Sequence, residues 1–65
     1  MTKEQKTEIH NSLIASLEAQ LYTSTVMGKT WHEIGNNELA KANADKAAEF
    51  QKAIDSQKKQ LAELK

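Results

Sequence analysis

Two short stretches hold residues that could do chemistry. Gly28-Lys29-Thr30 has the residues that close a phosphate-binding loop, G-x-x-x-x-G-K-[ST], and His32-Glu33 has those that open the zinc-peptidase pattern H-E-x-x-H. Neither pattern is completed. The phosphate loop needs glycine at position 23, where this chain has Thr23, and a buried strand ahead of it. Zinc ligation needs a second histidine one turn after His32, and Asn36 stands there. The other histidine, His10, is distant in sequence, and with no cysteine in the chain no metal centre is expected. No Ser/His/Asp or Cys/His arrangement is readable. Carboxylate pairs four residues apart (Glu4 with Glu8, Asp45 with Glu49) fall on expected solvent faces, where like charges repel modestly. A 65-residue chain is also too small to enclose an ordinary ligand cleft. The residues therefore point away from an enzyme, and no cofactor, metal or small-molecule substrate is expected.

The charge balance narrows the partners. Nine lysines and no arginine oppose nine acidic residues, for a net charge of zero. Nucleic-acid binding needs a basic face and favours arginine, so no nucleic-acid partner is expected. The longest stretch without a charge, Ala19 to Gly28, contains Gln, Tyr, Ser and Thr, and is too polar to span a membrane. No signal-peptide pattern opens the chain. The expected setting is the cytoplasm, and the start methionine and small size suit a bacterial or phage accessory protein.

What must position these residues is helical. Thr2-Lys3-Glu4-Gln5 reads as a capping box. Ile9, Leu13, Ile14, Leu17, Leu21 and Met27 follow at steps of three and four, predicting a helix over about residues 3–27 with Gly28 as its left-handed stop. The second half keeps a heptad. With Ala40, Ala47, Ile54 and Leu61 at position a, position d is Asn36, Asn43, Phe50, Gln57 and Leu64, and none of these is charged in a region rich in charge. That phase predicts one helix over about 37–64. Asn43 and Gln57 either fix register or sit at the solvent edge of the seam. Glu49 with Lys52, and Asp55 with Lys59, are expected surface pairs.

Residues 28–36 are expected to form a short turn or half-turn helix. Two starts are available for the second helix. A capping box at Thr30-Trp31-His32-Glu33 would begin it at Trp31, with Gly35 inside at a cost of about 1 kcal/mol. Alternatively, residues 31–34 form one turn ended by Gly35, and Asn36 or Asn37 caps the long helix, the arrangement favoured here. Trp31-His32-Glu33-Ile34-Gly35 is similar to the W-x-x-L-G opening of a tetratricopeptide repeat. The likeness stops there: Glu38 stands where an aromatic is required, Phe50 and Ala53 are each one residue early, and no proline closes the unit.

The resulting expectation is a single all-α domain over residues 1–65, an antiparallel two-helix hairpin. One hairpin leaves Ile9, Leu13 and Leu39 uncovered, so two are expected to pair into a four-helix bundle or coiled coil. The expected oligomer seam is Ile14, Leu17, Leu21, Ala40, Ala47, Phe50, Ile54, Leu61 and Leu64. Trp31 with Ile34 is read as plugging the bundle end against Tyr22, Val26 and Met27, and also as a recognition hot spot. Met27, Trp31, His32, Ile34, Asn37 and Leu39 are the candidate partner-binding residues. The expected function is a non-enzymatic protein-binding regulator, inhibitor or adaptor whose partner is itself, a larger protein, or both. The alternative is a structural assembly or chaperone subunit whose homo-oligomer is the working form.

Overall fold

The computed structural model describes residues 1–64, and Lys65, which the heptad reading leaves off the seam, lies outside them. Two helices make the whole fold, α1 (Lys3–Glu33) and α2 (Asn37–Glu63). They pack side by side as a hairpin measuring 49 × 14 × 12 Å.

The capping box forms as the sequence indicates. The Gln5 amide donates to Thr2 Oγ1 at 3.1 Å, and the Thr2 amide donates to Gln5 Oε1 at 2.8 Å. The far end of α1 differs from expectation. The helix does not stop at Gly28 but runs on to Glu33, so residues 28–33 are helix and not turn. Three causes act together. Thr23, Thr25 and Thr30 each donate a hydroxyl to the carbonyl four residues back, at 2.9 Å, so their side chains bond within the helix and offer the backbone no competing turn. Gly28 stays in the helical region; only Gly35 has a positive φ. An added Cβ on Gly28 would stand 3.5 Å from the Ala40 carbonyl oxygen and 3.5 Å from Asn43 Cβ, ordinary contact distances, so α2 packs directly over this position and holds it in the helix. Finally, Trp31 is half-buried, and covering it rewards one more turn.

The reversal takes three residues, Ile34 to Asn36. Gly35 takes φ +87°, its amide donates to the His32 carbonyl at 3.1 Å, and the Asn36 amide donates to the Trp31 carbonyl at 2.8 Å. These two bonds are the Schellman closure of a helix C-terminus. Asn36 then caps α2, its side chain accepting from the Leu39 amide at 3.0 Å. One residue thus ends one helix and starts the next. Of the two starts considered, α2 takes the asparagine cap, and the Thr30 box is not formed because Thr30 is inside α1.

The seam has a seven-residue rhythm on both sides. In α1 the half-buried or buried positions are Thr7, His10, Ile14, Leu17, Leu21, Ser24, Gly28 and Trp31; in α2 the principal ones are Ala40, Asn43, Ala47, Phe50, Ile54, Gln57, Leu61 and Leu64. Alternating steps of three and four keep one face of each helix on the other. Among the described residues only Ile54 (2% exposed) and Ser24 (6%) are fully covered. The seam tapers. Apart from Trp31 beside the turn, it is made of small residues in the half near the turn (Ser24, Gly28, Ala40, Ala47) and large ones toward the open end (Ile14, Leu17, Phe50, Ile54, Leu61).

Candidate protein-docking surface

The expected site residues separate into three groups. Ile14, Leu17, Leu21, Ala40, Ala47, Phe50, Ile54, Leu61 and Leu64 all lie on the inward stripe, between the two helices of one chain. Trp31 joins that stripe, half-buried. His32, Asn37, Ile34, Leu39 and Met27 are exposed, Ile34 to 66%.

Heptad phase sets which way each exposed residue faces. On one side of the hairpin, an open groove runs between the helices, lined by Thr25, Lys29 and His32 of α1 and by Ala40, Lys41 and Ala44 of α2. Met27 and Ile34 lie on the other side of α1, and Leu39 on the corresponding side of α2. The residues expected to plug the bundle end with Trp31 are not buried there: Tyr22 is 72% exposed, Ile34 66%, Val26 42% and Met27 36%. The cause is phase: a helix continued in register through Ser24, Gly28 and Trp31 turns positions 22, 26 and 27 away from the seam.

Polar groups in the seam are satisfied. His10 Nδ1 meets Gln57 Oε1 at 2.7 Å across the interface, so Gln57 fixes register. Asn43 Nδ2 donates to the Leu39 carbonyl of its own helix at 2.9 Å. No buried side-chain nitrogen or oxygen is left without a partner among the described residues. On the outside, Lys52 reaches Glu49 at 3.3 Å with both side chains about three-quarters exposed, so the pair adds little. Asp55, expected to face Lys59, accepts instead from Gln51 at 3.0 Å.

Residues singled out for chemistry are far apart. His10 and His32 lie on one straight helix, 22 residues and roughly 33 Å from each other. Among the described residues no group of three or more His, Asp or Glu side chains could hold a metal ion. No described helix is long and apolar enough to cross a membrane.

On the outer side of α1, Ile9, Leu13, Val26 and Met27 are 45%, 44%, 42% and 36% exposed. Ile9 and Leu13 are uncovered in the single hairpin, as expected, and Val26 and Met27, expected at the plugged end, are exposed as well. Compared with protein-family models, curated proteins and solved structures, the chain matches none of them.

Proposed function

We propose that this chain is a non-enzymatic protein-binding module, a small regulator, inhibitor or adaptor working in the cytoplasm. One observation carries the reading: Ile34 and Leu39 stand exposed at a hairpin end whose turn is only three residues long and closed by paired backbone bonds. Large apolar side chains held on a rigid mount lose little freedom on docking, which is what a binding hot spot requires. Trp31 supports the mount from beneath, half-buried in the seam. Docking needs no catalytic group, and the carboxylate pairs noted above lie exposed on α1 and α2.

The test is the double variant Ile34→Asp/Leu39→Asp. It should melt like the wild type and lose a stoichiometric partner that the tagged wild-type chain retains from its native host. Equal recovery by both proteins would refute the reading. A second reading, in which the homo-oligomer is itself the working form, is favoured by the uncharged outer side of α1.

A further inference from the structure

Charge is distributed very unequally between the two helices. From Ile9 to Gly28, α1 carries one formal charge, Glu18. The outside of α2 is charged in every turn, through exposed residues such as Glu38, Asp45, Lys52 and Lys59. The side of α1 turned away from both α2 and the groove is uncharged from Ile9 to Thr30. Its apolar residues sit in two clusters, Ile9 with Leu13 and Val26 with Met27, and the exposed residues between them are small or neutral, such as Ser16 and Ala19. A charge of opposite sign closes each end of the same side, Lys6 before it and Glu33 after it.

We propose that this side of α1 is covered by the same side of α1 in a second copy of the chain, running antiparallel, with the two-fold axis beside Ala19 and Gln20. The inference rests on the reading that the chain works through protein–protein contact. Antiparallel pairing about that point sets Leu13 against Met27 of the second copy, twice, and brings Lys6 to Glu33 of the second copy, twice. Parallel pairing would set Lys6 on Lys6 and Glu33 on Glu33, which repel. A two-fold contact must be self-complementary, and this side of α1 is. This chain exposes 4890 Å², more than the roughly 4,200 Å² of a compact monomer of 7.3 kDa, as its elongated 49 × 14 × 12 Å shape requires.

The chain has no cysteine, so single cysteines report the pairing directly. Sedimentation at about 100 µM should give twice the chain mass. Under oxidation Gln20→Cys should join to itself, and Leu13→Cys should join to Met27→Cys in a mixture far faster than either joins to itself. Leu13→Glu/Met27→Glu should keep its helicity and weaken self-association by about a hundred-fold or more, since four carboxylates would enter an apolar contact. Lys6→Glu and Glu33→Lys should each weaken the dimer, and the two together should restore it. A wild-type chain that sediments as a monomer, or Leu13→Cys joining preferentially to itself, overturns the proposal. The tip variant Ile34→Asp/Leu39→Asp separates the two readings: it should remain dimeric while losing its other partner. Loss of the dimer in Leu13→Glu/Met27→Glu with that partner still bound shows the two surfaces to be independent.

Discussion

His10 and Gln57, 47 positions apart in sequence, are joined across the seam by a bond of 2.7 Å from Nδ1 to Oε1. The amide oxygen can only accept, so Nδ1 carries the hydrogen. Gln57→Leu leaves a partly buried donor unmatched and should cost about 1–2 kcal/mol. The double variant His10→Leu/Gln57→Leu should recover that loss, because both polar groups leave an otherwise apolar stripe. Chemical denaturation of the four proteins gives the coupling. Additive losses would mean that the bond contributes nothing.

Gly28 decides between two opposing effects. A helical glycine costs about 1 kcal/mol against alanine. The space for a methyl group exists, because the nearest atoms would be 3.5 Å away, an ordinary contact distance. Gly28→Ala should therefore raise stability, by up to about 1 kcal/mol. Gly28→Leu should lower it by about 1–3 kcal/mol, since the extra atoms would push the helices apart. Thermal melting by circular dichroism reads both signs.

Gly35 has the reverse character. Nothing lies within 4 Å of an added Cβ, yet its φ of +87° is one that side chains resist. Gly35→Ala should cost about 1–2 kcal/mol through the backbone alone. Gly35→Asn should cost less, because asparagine tolerates the left-handed region better. Equal melting of all three proteins would show that the turn does not need this conformation.

Burial ranks the apolar positions. Ile54, 2% exposed, should lose about 2–5 kcal/mol on change to alanine. Trp31→Ala should lose less than full burial would imply, because the residue is partly exposed. Tyr22→Ala, at a 72% exposed site, should stay within about 0.5 kcal/mol of wild type. A Tyr22 effect as large as that of Ile54 would show that exposure does not rank these positions.

Much of this fold was legible in the sequence, for physical reasons. The stripe of α2 could be read because its exposed positions are charged, so the uncharged heptad positions stand out. Thr2 to Gln5 and Asn36 could be read because caps depend on local bonds. The end of α1 could not be read locally. Gly28 looks like a stop until the closeness of Ala40 and Asn43 is known, and only tertiary packing supplies that. The outer side of α1 is as poor in charge as the seam, so only the heptad phase, 14, 21, 28 with 17, 24, 31, separates Ile9 and Leu13 from Ile14 and Leu17.

The taper of the seam also governs how the chain reaches this shape. Loops closed near the turn are the shortest and the least costly in entropy. Beside the turn only Trp31 is large; Ser24, Gly28, Ala40 and Ala47 bury little apolar surface, while Phe50, Ile54 and Leu61 lie from the middle of α2 to its far end. A zipper started at the turn therefore gains most of its apolar burial in its second half. Half-closed forms gain little, which favours the two helices appearing and disappearing together.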